Sequence, residues 1–170
     1  LESSGAKLRE IGATNHTSMD DYAGAIGPQT GLILKVHRSN FFMKGFVAAP
    51  ERRELAVLAR KKRVPFMEDL GSGVLLPAGD WAEGHHEPMP REVLKDGADI
   101  VCFSGDKLMG GPQSGIIAGR ARHVQALKEH PFFRALRCDK LVLSVLQSTA
   151  EHYLHDQGGE LPLHRMLTAD

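Results

Sequence analysis

Short apolar runs alternate with stretches of helical periodicity along most of this chain. Gly31 to His37 is apolar and partly β-branched and follows the turn signal Gly27-Pro28-Gln29, so it predicts a buried strand. Pro50 then opens a predicted helix that carries Leu55, Leu58 and Ala59 on one face and Arg60 to Arg63 in its last turn. Val64 to Asp69 reads as a second strand. From Pro77 to Pro90 the composition turns to Gly, Pro, His and acid, which predicts a loop. Pro90 to Gly97 is a short helix with a glycine stop, Asp99 to Phe103 a third strand, Gly115 to Gly119 a fourth, and Arg122 to Glu129 a further helix. Between Asp139 and His155, Val142, Val145, Leu146, Thr149, Ala150, Tyr153 and Leu154 recur at helical spacing, which predicts a packing helix that bridges to another domain.

Strand, helix, strand, helix, strand is the order of an α/β layer with a mostly parallel sheet flanked by helices. Ligands of such sheets lie beyond the carboxyl ends of the strands, where His37, Asp69 and Ser104 fall. No internal repeat or low-complexity tract interrupts the pattern.

Composition narrows the class. At 170 residues and 42% hydrophobic, the chain can bury one ordinary core. Lys plus Arg equals Asp plus Glu at 21 each, so no overall basic surface grips a nucleic-acid backbone, and any such contact would be local. Two cysteines, Cys102 and Cys138, are too few for a disulfide framework and predict a reduced, cytoplasmic setting. No apolar run approaches the roughly 20 residues that span a bilayer. A start at Leu1 rather than Met, and an end directly after the helical-looking His164 to Leu167, lead us to expect a piece of a longer protein.

The candidate chemistry centres on Lys107. It follows the third predicted strand in the run Phe103-Ser104-Gly105-Asp106-Lys107-Leu108-Met109-Gly110-Gly111-Pro112-Gln113-Ser114-Gly115. An amine at the end of a buried strand, in a glycine-rich turn, can lose solvation and become a carbonyl-trapping nucleophile. The plain alternative is a surface lysine in a turn. Asp69 ends the strand before Leu70-Gly71-Ser72-Gly73, 38 residues upstream of Lys107. Together the two read as a pyridoxal 5'-phosphate (PLP) site, with Lys107 carrying the Schiff base and Asp69 pairing the pyridinium nitrogen. Asp before Gly is also a common turn cap, which is the alternative for Asp69.

Further residues are weighed in the same way. His37 and Asn40, at the end of the first strand, could meet the reacting carbon and the cofactor's phenolic oxygen, or could be polar groups satisfied by backbone. Arg134 and Arg137 stand three apart and share one face if the segment is helical, which suits a tetrahedral oxyanion; the alternative is a solvated pair. His85-His86, with Glu83 and Glu87 nearby, is read as an exposed loop rather than a metal site, because no spaced Cys/His partner set accompanies it. Gly110-Gly111 is no P-loop, since the Gly-Lys-Ser/Thr ending is absent.

Five segments resemble bacterial selenocysteine synthase, the L-seryl-tRNA(Sec) selenium transferase family. They are Leu8 to Asn15, Leu34 to Phe41, Glu68 to Gly73, Phe103 to Arg120, and His130 to Leu141, spread over nearly the whole chain in family order. The lysine segment is the most specific, because Ser-Gly-Asp-Lys followed by Gly-Gly-Pro-Gln is not shared with most PLP enzymes. Ile11, Ala13 and Ser114 depart mildly from the family pattern and touch none of the proposed chemistry.

The resemblance implies the large domain of a fold-type I PLP-dependent transferase, in part: residues 1–138 as its second half, and residues 139–170 as a linking helix and the start of a carboxy-terminal small domain. It implies that seryl-tRNA is converted to selenocysteinyl-tRNA through an aminoacrylyl intermediate, with selenophosphate as donor, in a homo-oligomer built from dimers. Lys107 would carry the cofactor and move the α-proton, Asp106 would assist proton shuttling or loss of the seryl hydroxyl, and Ser104 would hold the cofactor phosphate. Arg134 and Arg137 would bind the selenium donor. Two other readings stay open: a related PLP lyase acting on a small amino acid or amino sugar, and an interaction or assembly domain without activity of its own. The latter is raised by the phosphate-binding glycine loop and ring-stacking residue, which the family places upstream of Leu1.

Overall fold

The computed structural model describes residues 4–77 and 87–169. His85, His86 and Glu83, and with them most of the predicted Pro77 to Pro90 loop, lie outside these described residues. The sheet holds four strands, β1 (Ile33–Val36), β2 (Phe66–Gly71), β3 (Ile100–Ser104) and β4 (Gly115–Gly119), in that spatial order. β1, β2 and β3 are parallel, and β4 returns antiparallel to β3. The expected mostly parallel sheet is therefore present. Its last strand is antiparallel because the Lys107 turn joins β3 to β4 directly, with no crossover helix.

Helices α1 (Met19–Ala25), α2 (Arg52–Lys62), α3 (Pro90–Lys95), α4 (Ala121–Glu129), α5 (Phe133–Leu136), α6 (Lys140–Leu154) and α7 (Pro162–Leu167) complete the described residues. The sequence reading gave no helix for α1. Its signal is the capping box Ser18-x-x-Asp21, in which Asp21 N donates to Ser18 Oγ and Ser18 N to Asp21 Oδ2. α2 stops at Arg63, whose φ of 57° turns the chain left-handed into β2. α6 starts where Asp139 Oδ1 accepts from Val142 N.

The pleat of β2 organises the core. Phe66, Glu68 and Leu70 point to a buried face, while Met67, Asp69 and Gly71 point to a half-open one. On the buried side Leu55, Ala56 and Ala59 of α2 and Val93 of α3 pack with Phe66, Leu70 and Val101. Each large side chain fully buried there contributes roughly 1.5–3 kcal/mol. Glu68, 1% exposed, meets Arg52 of α2 in a fork: Nε donates to Oε2 at 2.6 Å and Nη2 to Oε1 at 3.1 Å. Arg52 Nη1 continues to Asp96 Oδ2 at 2.9 Å, and Arg53 Nε reaches the other oxygen of Asp96. One charge network thus joins α2, β2 and the end of α3.

At the opposite end of the sheet, Asp99 accepts from Phe66 N at 3.0 Å and pairs with Arg120 Nε at 2.7 Å, which fixes the start of β3 against β2 and β4. The expected apolar face of α6 is only partly used. Thr149 is buried, and Leu146 and Tyr153 pack on the core, but Val145 and Leu154 are exposed among the described residues. They fall to the side of the stripe that meets the sheet. No helix of the described residues is long and apolar enough to cross a membrane.

Replacing Arg52 by Ala leaves Glu68 buried without its partner and should cost about 3–5 kcal/mol in denaturant unfolding of the intact protein. The paired change Arg52→Met with Glu68→Leu should recover most of that loss, because it removes the charge as well as its partner.

Candidate active site at the strand ends

The carboxyl ends of β1, β2 and β3 bring together residues far apart in sequence. His37 N donates to Asp69 O at 2.7 Å, which extends the β1 to β2 ladder by one residue and sets the two strand ends level. Asp69 pairs across the sheet with Val36 and Cys102. Its carboxylate accepts from Gly71 N at 3.0 Å and from the Cys102 thiol. Burial, and then the neighbouring Asp69 charge and hydrogen bond, push the Cys102 thiol up to about 12. The turn-capping bond weighed for Asp69 is therefore present, on a carboxylate that also faces the half-open side of the sheet.

Lys107 reaches the same place from the turn after β3. Gly71 has a φ of 68°, and a Cβ there would stand 2.8 Å from Ser39 Oγ and 4.0 Å from Lys107 Nζ. Glycine thus serves twice, for the left-handed turn and for the close approach of Ser39 Oγ, beside which the amine lies. Gly105 is equally constrained, since a Cβ would stand 2.3 Å from Ser114 Oγ and 2.8 Å from Pro112 O. Gly105 N donates to Ser114 O, Gly111 N to Gly105 O and Leu108 N to Ser72 O, which closes the turn and ties it to the end of β2. Lys107 itself is exposed, so the desolvation expected from its position is not supplied by the described residues.

Ser104 is half-buried at the end of β3, opposite Gly115. Asp106 is exposed beside Lys107, and Asn40 is exposed one residue beyond Ser39. Arg134 lies on α5 and Arg137 caps it; α5 packs on α4. Both side chains are exposed, with no ion pair to the Lys107 turn among the described residues. The structure therefore gathers Lys107, Asp69, His37 and Ser104 at the strand ends and leaves the two arginines apart from them.

Several site residues were not read from the sequence as such. Ser39 lies against Gly71, on the side where the Lys107 amine also approaches. Glu87 returns to the strand ends: Ser72 Oγ donates to its Oε2 at 2.6 Å, and His37 Nε2 lies 3.2 Å from the same oxygen without hydrogen-bond geometry. Ser72, between two glycines after a strand, carried a signal; Glu87, across a loop, carried none. Among the described residues no group of three or more His, Cys, Asp or Glu is placed to hold a metal ion.

Residues 1–170 match the family model described as L-seryl-tRNA selenium transferase. The chain is 49% identical over 170 residues to the L-seryl-tRNA(Sec) selenium transferase of Hyphomonas neptunium, covering 99% of this chain and 36% of that protein. It is 44% identical to the Aquifex aeolicus protein of the same name, covering 100% of this chain and 38% of that one. The chain thus spans a little over a third of the length of these relatives. Among solved structures, D-glucosaminate-6-phosphate ammonia-lyase aligns with a TM-score of 0.68 at 22% identity over 89% of this chain and 37% of its own. A structure titled SPT with PLP internal aldimine aligns at 0.53 and 14% identity over 86% of this chain and 34% of its own. These likenesses are of fold, and they agree with the expected fold-type I α/β layer.

A thiol with its pKa at about 12 is ionised to about one part in ten thousand at pH 8. Cys102 should therefore alkylate more slowly than Cys138 at pH 8, and its rate should climb about tenfold per pH unit up to pH 10. Asp69→Asn should raise the Cys102 rate at pH 8, because one of the causes that hold the thiol neutral is removed; peptide mass spectrometry after timed labelling reads both effects.

Proposed function

The chain belongs to the L-seryl-tRNA selenium transferase family, and from that membership we propose that the intact protein converts L-seryl-tRNA(Sec) to L-selenocysteinyl-tRNA(Sec), with selenophosphate as donor and PLP as cofactor. The observation that carries the reading is the meeting of the Lys107 amine with the Asp69 to Gly71 strand end, on the half-open face of the sheet. An amine for the aldehyde, a carboxylate for the ring nitrogen and a hydroxyl at Ser104 for the phosphate form a donor set that fits this cofactor. When bound there, PLP supplies an electron sink for the negative charge left at the substrate α-carbon.

The chain's own residues divide the remaining work. Lys107 would hold the cofactor aldehyde, and its amine, when free, would accept the α-proton and later return one. Asp69 keeps the ring nitrogen protonated, and its bonds from Gly71 N and Cys102 hold the carboxylate in place for that task. Asp106 stands exposed beside Lys107 and carries a proton to the departing seryl hydroxyl, which leaves as water. His37 and Asn40 follow β1 at the same strand ends and would orient the ring. Arg134 and Arg137 offer unpaired guanidinium groups to the phosphate oxygens of the selenium donor.

In this reading residues 1–138 belong to the large domain, residues 139–170 lead into the small one, and the enzyme works in the cytoplasm as a homo-oligomer built from dimers. The ammonia-lyase likeness is one of fold at 22% identity and favours no second substrate.

Borohydride treatment of the intact protein with PLP should leave a pyridoxyl group on Lys107, found by peptide mass spectrometry, and the protein should transfer labelled selenium to charged tRNA. A pyridoxyl group on another lysine would remove the site assignment, and retained PLP binding with no selenium transfer would remove the substrate.

Arg134→Gln or Arg137→Gln should raise the KM for selenophosphate by about 10- to 100-fold, the loss of one charge-assisted hydrogen bond, while pyridoxyl labelling of Lys107 stays unchanged. An equal loss in both assays would make these arginines structural.

A further inference from the structure

We propose that Tyr153 and His164 act as one hydrogen-bonded unit that positions Lys107, by holding the main-chain carbonyl of Met109, two residues beyond it. The inference rests on Lys107 being the cofactor lysine. On one flank the turn is tied to β2 through Leu108 N, which donates to Ser72 O at 3.0 Å. The other flank faces α6 and α7. There Tyr153 Oη donates to Met109 O at 2.7 Å and lies 2.9 Å from His164 Nε2. His164 is 5% exposed, and burial holds its imidazole below the usual histidine range, so the neutral ring carries a single N–H.

Because Tyr153 gives its proton to Met109 O, the imidazole presents Nε2–H to Tyr153 Oη, and the two contacts form one chain, His164 Nε2–H to Tyr153 Oη–H to Met109 O. Its links are interdependent, because the phenol has one proton and the neutral ring one. Removing Tyr153 leaves the Met109 carbonyl without its donor, and removing His164 leaves the Tyr153 oxygen without its own.

The glycines that follow Lys107 bring the turn into reach of this pair. Gly110 has a φ of 74°, and a Cβ there would lie 3.5 Å from Leu163 Cβ. At Gly111 a Cβ would lie 3.3 Å from Thr149 Cγ2, on the buried stripe of α6. The backbone after Lys107 is thus pressed onto α6 and α7, and Tyr153 meets His164 edge to face at 89°. A lysine on a turn fixed at Ser72, Leu108 and Met109 keeps its Cα in place, and so the reach of its amine toward Gly71. Misplacement of a reacting group by about 1 Å can cost on the order of 100-fold in rate.

The test uses the intact protein carrying Tyr153→Phe, His164→Gln, both changes, or Leu163→Ala as a packing control. In the PLP-free protein, amide exchange over residues 105–111 should quicken at least tenfold in Tyr153→Phe, with the β1 and β2 amides unchanged. On adding PLP, formation of the borohydride-fixed pyridoxyl group on Lys107 should slow at least fivefold, and the pH midpoint of the visible band should move. The double variant should be no worse than the more affected single one, as members of one chain require. Leu163→Ala should lower stability without moving the band. Parent-like exchange and labelling in Tyr153→Phe, additive losses in the double variant, or an equal band shift in Leu163→Ala would each overturn the proposal. Should the parent place its pyridoxyl group on another lysine, the Lys107 assignment fails, and the exchange arm alone then decides whether the pair holds the turn.

Discussion

Two adjacent carboxylates on β2 are sent to opposite sides of the sheet by the pleat, and the rest of the molecule follows from that separation. Glu68 enters the interior and meets the Arg52 fork, which anchors α2 and, through Asp96, the end of α3. Asp69 emerges on the half-open face between Val36 and Cys102. A slip of one residue in β2 would exchange their places. The buried carboxylate would then lose its guanidinium partner, and the half-buried one would leave the strand end that the Lys107 turn meets. The charge network on the back of the sheet therefore fixes the register that the front of the sheet needs.

The site is assembled from strand ends, whereas the lysine is held by helices. Gly71 and Gly105 leave room for Ser39 Oγ and for Ser114 Oγ and Pro112 O, which a Cβ would crowd. Gly110 turns the chain left-handed against α7, and at Gly111 a Cβ would crowd Gly105 O and Thr149 of α6. Residues beyond position 139 reach the Lys107 turn through the main chain of Met109. Arg134 and Arg137 remain apart from this assembly, on a short helix with exposed side chains, as groups available to a ligand would be.

Much of this was legible in the sequence, for identifiable reasons. Apolar runs and period-3.6 patterns located all four strands and the helices α2, α3, α4 and α6, because each carries enough apolar residues of its own to show a face, buried in α2 and α3 and only partly covered in α4 and β4. Helix α1 escaped, since seven residues are too few to show a period and its signal is a cap. Lys107, Asp69, His37 and Ser104 were legible as neighbours because each follows or ends a strand of one parallel sheet, whose carboxyl ends lie together. Ser39, Glu87, Tyr153 and His164 were not, because their contacts span between 11 and 50 residues and depend on how loops and helices fold back.

By itself the sequence determined the α/β order, the strand ends, and the family, since local periodicity and contiguous motifs need no partner elsewhere in the chain. Tertiary structure alone decided that Glu68 is the structural acid and Asp69 the one offered to the site. It also decided that the Lys107 amine comes to Gly71 and that α6 and α7 hold the turn from behind. Each of these is a relation between segments distant in sequence, fixed only when the sheet register and the helix packing are set together.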